Sequence, residues 1–93
     1  MPKRIKRHLF ISGRVQRVGY RAFIRKKAKN LGVKGWVKNL FDGRVEAVFW
    51  GTSEKVAEMI ELVRKGPHFS QVEDVKILKE DIDKEIKEFK IIN

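Results

Sequence analysis

The stretch that most narrows what this chain can fold into is Gly13-Arg14-Val15-Gln16-Arg17-Val18-Gly19-Tyr20-Arg21. It follows an apolar run, His8-Leu9-Phe10-Ile11, and precedes Arg21-Ala22-Phe23-Ile24-Arg25-Lys26-Lys27-Ala28-Lys29-Asn30-Leu31. The first run reads as a strand over 8–12, with Leu9 and Ile11 on one face and Phe10 on the other. In the second, Tyr20, Ile24, Ala28 and Leu31 share one helical face, and Gly32 is placed to close the helix as a left-handed cap. A strand, a loop with glycine at both ends and then a helix gather main-chain N–H groups at a helix N-terminus. Unsatisfied donors and the positive end of the helix dipole coincide there, so the place favours an anion. Arg21, where loop becomes helix, can grip a phosphate with two parallel hydrogen bonds. A cation at a helix N-terminus is otherwise unfavourable. The reading is a phosphate cradle.

The rest of the chain supplies the frame. Residues 33–40 read as a second strand carrying Trp36 and Asn39, and Asp42-Gly43 as a tight hairpin turn with positive φ at both central positions. Residues 44–50 form the antiparallel partner, with Val45, Ala47 and Phe49 as its core set because Glu46 interrupts the apolar run. Thr52 or Ser53 caps a second helix in which Val56, Met59, Ile60 and Val63 share a face, and Gly66-Pro67 stops it. Residues 72–79 and 88–92 read as a fourth and a short final strand, with Glu80–Lys87 a solvated charged loop. The order β-α-β-β-α-β plus a terminal strand predicts one domain over 1–93. It is an α+β ferredoxin-like sandwich, an antiparallel sheet with two helices on one face.

Composition decides what kind of partner to expect. The net charge of +10 is carried by the first 41 residues, which hold thirteen Lys or Arg and no Asp or Glu; the remainder has a net charge of −3. Such asymmetry points to an anionic substrate or partner. There is no cysteine, so disulfides, thiolate nucleophiles and thiolate metal sites are excluded. No apolar run has the length of a membrane span, and Met1–Arg7 leads into no signal-peptide core, so a cytoplasmic protein without membrane contact is the expectation. Arg4, Lys6 and Arg7 read as a flexible solvated start. A charged fraction of 37% with many Lys, Glu and Ile would suit a thermophile.

Most catalytic equipment is missing. His8 and His68 read as a strand and a loop residue, and no His pair has metal-ligand spacing. Asp81, Asp83 and Glu85 imitate a calcium loop out of register and read as a solvated run. No Gly-Lys-Ser/Thr follows the glycines, so this is not a nucleoside-triphosphate loop. The absence has a meaning when the substrate is itself reactive. A carboxyl-phosphate anhydride has a good leaving group and a loose transition state. It needs its phosphoryl oxygens held and a water placed in line, more than it needs a strong base. A side-chain amide can place that water, its oxygen accepting from it. Asn39, near the end of the second strand and expected beside the first strand's exit, is the candidate. A turn-approach role before Asp42-Gly43 is the plainer use of asparagine.

Gly13–Arg21, then Gly32-Val33-Lys34-Gly35-Trp36-Val37-Lys38-Asn39, then Asp42-Gly43-Arg44-Val45-Glu46, resemble the acylphosphatase family. The likeness spans nearly the whole chain, including Gly66-Pro67 and the terminal strand. It implies hydrolysis of acyl phosphates to carboxylate and phosphate without metal or cofactor, with phosphate or sulfate as competing anions. It implies that Arg21 binds phosphate, that Asn39 orients water, and that Val15, Gln16, Arg17, Val18, Gly19 and Tyr20 form the loop around the anion. One residue departs: Arg17 stands where the family usually has glycine. If the position needs positive φ, arginine costs about 1 kcal/mol. Two other readings stand beside this one. A phosphate-binding relative with reduced turnover keeps the cradle, and a single-stranded nucleic-acid module shares the topology. For the latter, Phe10, Phe49 and Trp50 are the available aromatics, without the glycine-aromatic ribonucleoprotein pattern, so no specific nucleic acid is expected. Trp36 and Trp50 read as packing residues and Tyr20 as core.

Overall fold

Alternation of apolar and polar side chains starts earlier than residue 8. In the computed structural model, which describes residues 3–80 and 85–92, β1 spans Arg4–Arg14. Arg4, Lys6 and Arg7 are therefore strand residues, not a flexible start: pairing of Arg4 with β3, and of Lys6 and Arg7 with both β3 and β4, orders them despite their charge. The remaining elements are α1 (Tyr20–Leu31), β2 (Lys34–Asn39), β3 (Val45–Thr52), α2 (Ser53–Lys65), β4 (Gln71–Glu80) and β5 (Phe89–Ile92). Glu80 thus ends a strand instead of opening a loop. Asp81 and Asp83 lie outside the described residues, and Glu85–Lys87 have no regular structure.

The sheet order is β4-β1-β3-β2-β5. β1, β3, β2 and β4 pair antiparallel, as the ferredoxin-like reading requires. β5 departs from it by joining β2 in parallel, which makes the sheet mixed. β3 separates β2 from β1, so the second strand does not lie beside the first strand's exit. Ile77, Leu9, Ala47, Val37 and Ile91 stand opposite one another across all five strands. Leu9, Ala47 and Val37 are fully buried against Ile24 and Ala28 of α1 and Val56, Met59 and Val63 of α2. Burying each large aliphatic side chain contributes roughly 1.5–3 kcal/mol, against about 1 kcal/mol for a helix cap, so this row decides the register. A one-residue slip of β2 would turn Trp36 into the core and Asn39 out of it.

The caps follow the sequence signals. Thr52 Oγ1 accepts from the Lys55 N–H at 3.2 Å. Gly32 ends α1 in the left-handed conformation, its N–H reaching the carbonyls of Ala28 and Lys29. The β2–β3 turn differs from the expected two-residue form. Leu40 and Arg44 close a three-residue loop in which Gly43 alone takes positive φ, the geometry of a turn followed by a bulge. Asp42 instead accepts from the Arg44 N–H at 3.1 Å and pairs with its guanidinium at 2.8 Å. Those bonds, the main-chain one first, hold its carboxyl below the ordinary carboxylate pKa. The resulting stabilisation is present above that ordinary value and lost as pH falls through the lowered one.

Tyr20 joins the start of α1 to the end of α2, its buried hydroxyl donating to the Val63 carbonyl at 2.8 Å. Burial pushes the phenol above its usual value of about 10. A raised pKa means stability fully present below about pH 10 and lost as pH rises beyond it. Tyr20→Phe should cost about 1 kcal/mol in urea unfolding at neutral pH and should flatten the alkaline loss of stability. As this is the only tyrosine, absorbance titration of the wild type should show the phenolate appearing only with unfolding; ionisation near pH 10 in the folded protein would contradict this placement.

Candidate active site

β1 leaves the sheet through an irregularity. Its register with β4 shifts between Ser12 and Gly13, where φ is 123° and a Cβ would collide with the Gln71 carbonyl. Only glycine fits that approach. The chain then turns at Val15, whose N–H bonds to the Gly13 carbonyl at 3.1 Å. From Gln16 to Ala22 no main-chain N–H meets a backbone acceptor among the described residues; the next bond is Phe23 N–H to the Gly19 carbonyl at 3.0 Å. Arg17 (φ 63°) and Gly19 (φ 76°) are left-handed, flanking Val18, which is not. Alternating hand of this kind curls successive N–H groups into a concavity suited to an anion. Gly19 is also the N-cap of α1 and offers no side chain to its first turn, which carries no acidic residue. The donors of the loop and of the helix end are left in one place.

A pocket of about 200 Å³ opens there, lined by Val15, Arg17, Gly19, Tyr20, Arg21, Ala22, Asn39 and Ile91. The structure thus brings together Arg21, Asn39 and, of the loop residues that the sequence singled out, Val15, Arg17, Gly19 and Tyr20, while Gln16 and Val18 are not among the lining residues. Arg21 is half-buried and donates to the Ile92 carbonyl over 3.5 Å, a long bond at the limit of useful strength. Asn39 lies in the inward row of the sheet with Val45, Ile11 and Val75. Its Oδ1 is buried and has no hydrogen-bond partner among the described residues. A buried, orphaned acceptor on the wall of a donor-rich pocket is costly for stability alone. A wider depression of about 590 Å³ along α2, lined by Glu58, Glu61, Leu62, Arg64 and Lys65, offers only one helix's mixed charges.

Gln16 has a role the sequence reading missed. Its side-chain Nε2 donates to the carbonyls of Leu40 and Arg44, at 2.7 and 2.8 Å. Those two residues close the β2–β3 loop, and Leu40 follows Asn39 directly. One amide therefore fastens the cradle to the strand end that presents Asn39, across a β3 that keeps β1 and β2 apart. Only the amide type hinted at this, since nothing in the spacing names the partner. Ile91, from the terminal strand, was likewise not among the expected site residues.

Of the three aromatics available for stacking, one lies inward as the core set of its strand predicts. Phe49 is fully buried in the core, stacked on Phe89. Phe10, Trp36 and Trp50 are half-buried, and each ring already carries a cation: Arg44 at 4.9 Å, Lys38 at 5.7 Å and Arg4 at 5.7 Å. His8 bonds Glu46 at 2.6 Å.

Comparison with known proteins agrees with the resemblance. The family model for acylphosphatase matches residues 7–91. An acylphosphatase of Syntrophobacter fumaroxidans is 50% identical over 91 residues, 98% of this chain and 93% of that protein. The crystal structure of acylphosphatase from Bacillus subtilis superimposes with a TM-score of 0.92 at 32% identity, covering 96% of this chain and 99% of that one. An acylphosphatase structure from Coxiella burnetii gives 0.90 at 32% identity, over 96% and 93% of the two chains.

Gln16→Glu removes both donors and sets a carboxylate against two carbonyl oxygens. It should lower unfolding free energy by about 2 kcal/mol, measured by urea denaturation; an unchanged midpoint would show that the fastening is idle. The chain belongs to the acylphosphatase family of enzymes.

Proposed function

We propose that this chain hydrolyses acyl phosphates with Arg21 and the N–H groups of Val15–Tyr20 holding the phosphoryl oxygens and Asn39 orienting the attacking water. The water oxygen forms a bond to phosphorus while the bridging P–O bond breaks. The carboxylate leaves with that bond's electron pair. The water's protons pass to the phosphate product and to solvent. Because the leaving group is a stable carboxylate, no strong acid or base is required; the phosphoryl charge must be matched and the water aligned. Backbone N–H groups and a guanidinium are fixed donors that need no reorganisation as charge redistributes over the equatorial oxygens.

The observation that carries this reading is the orphaned Oδ1 of Asn39 on the wall of the pocket that Arg21 lines. An acceptor alone there suits a water that has two protons to donate and a lone pair to direct at phosphorus. The route needs no metal, cofactor or membrane, and free phosphate or sulfate competes for the cradle.

With benzoyl phosphate as substrate, Arg21→Ala should lower kcat/KM about 10²–10³-fold. Asn39→Ala should lower kcat with a smaller change in KM, the pattern of a group acting in the transition state. EDTA should have no effect, and inorganic phosphate should inhibit competitively. Either variant matching the parent's rate would remove that residue from the reading. Phosphate binding without hydrolysis would leave the reduced-turnover relative in its place.

A further inference from the structure

Arg17 bears three costs at one position. It is the only non-glycine residue in the described chain with positive φ, at 63°, a conformation that costs a side-chain-bearing residue about 1 kcal/mol or more. It lines the same small pocket as Arg21, so two guanidinium groups share a site with no Asp or Glu among its described lining residues. Its side chain is exposed and makes no hydrogen bond, ion pair or ring contact among the described residues. Glycine would remove the strain and the like-charge neighbour together. Burial cannot explain Arg17, since it is exposed, and neither can a helix cap or a salt bridge among the described residues.

What remains is a group absent from the protein. The curl of N–H groups and Arg21 already match the phosphoryl oxygens in the proposed reaction. Arg17 lines the same pocket and is exposed where Arg21 is half-buried, so its guanidinium is free to meet the acyl part of a substrate whose phosphoryl group fills the cradle. We propose that Arg17 is a subsite for a second anionic group, and that the preferred substrates are short acyl phosphates with a carboxylate on the acyl chain. The inference rests on the hydrolysis proposed above and names the substrate class it favours. The pocket suits that class in size, since about 200 Å³ is below the roughly 300–1,000 Å³ of pockets for drug-sized ligands. The guanidinium fork suits it in chemistry, being matched to a carboxylate's two oxygens. The absence of Asp or Glu from the first 41 residues leaves the rim without an internal competitor from that half.

The test compares two substrates of equal chain length, succinyl phosphate with its free carboxylate and butanoyl phosphate without one. The quantity read is the ratio of their kcat/KM values on the same enzyme, so that any disturbance of the cradle common to both cancels. The wild type should favour succinyl phosphate, and Arg17→Gln should reduce that preference by about fivefold to tenfold. Arg17→Lys, which keeps the charge, should retain most of it. The preference should also fall with added salt in the wild type and not in the Gln variant. Equal use of both substrates by the wild type, or an equal loss on both in Arg17→Gln, would overturn the subsite while leaving the hydrolysis intact. Hydrolysis of neither substrate would overturn the proposed function itself. Thermal unfolding of each variant confirms that a folded enzyme is being compared.

Discussion

Two hydrogen bonds from a single side-chain amide hold the candidate site together. The loop that gathers N–H donors leaves β1, while the asparagine that faces them ends β2, and β3 runs between the two strands. Without the Gln16 amide, bonded to Leu40 and Arg44, nothing polar in the described hydrogen bonding would tie cradle to hairpin. Sheet pairing sets the hairpin's height, and the amide sets the loop's distance from it. The pocket between them is a consequence of both.

The same arrangement explains why a polar residue occupies an inward position. Asn39 continues the phase of Gly35 and Val37, the buried residues of β2. At the middle of the sheet such a residue would be expensive. At the strand end, over the mouth of the loop, its amide can meet a ligand instead of the core. Arg21 lies at the other side of that mouth, on the first turn of α1. An anion held there would meet both the guanidinium and the positive end of the helix dipole.

Much of this was legible in the sequence because local rules and global fold agree. Periodicity located both helices and the inward sets of β1 and β3, and the cradle's position followed from two glycines between a strand and a helix. Where the reading failed, long-range pairing decided the outcome. The basic residues from Arg4 to Arg7 look like a loose terminus until β3 and β4 flank them. The parallel docking of β5 and the partners of Gln16 depend on which strands become neighbours, and no short window carries that. Asp42-Gly43 signalled a hairpin correctly but not its length, since one left-handed glycine also suits the three-residue form. Arg17 stood out as a departure from the family's glycine; that it takes a left-handed conformation is a property of the folded loop.

Titration of isotopically labelled protein with inorganic phosphate, followed by the amide resonances, tests the anion-binding curl directly. The account predicts that the largest shifts fall on the main-chain amides of residues 16–22 and on the Asn39 side-chain amide, saturating together with one dissociation constant. Saturable shifts centred on Lys6, Trp36 and Trp50, with residues 16–22 unmoved, would contradict it.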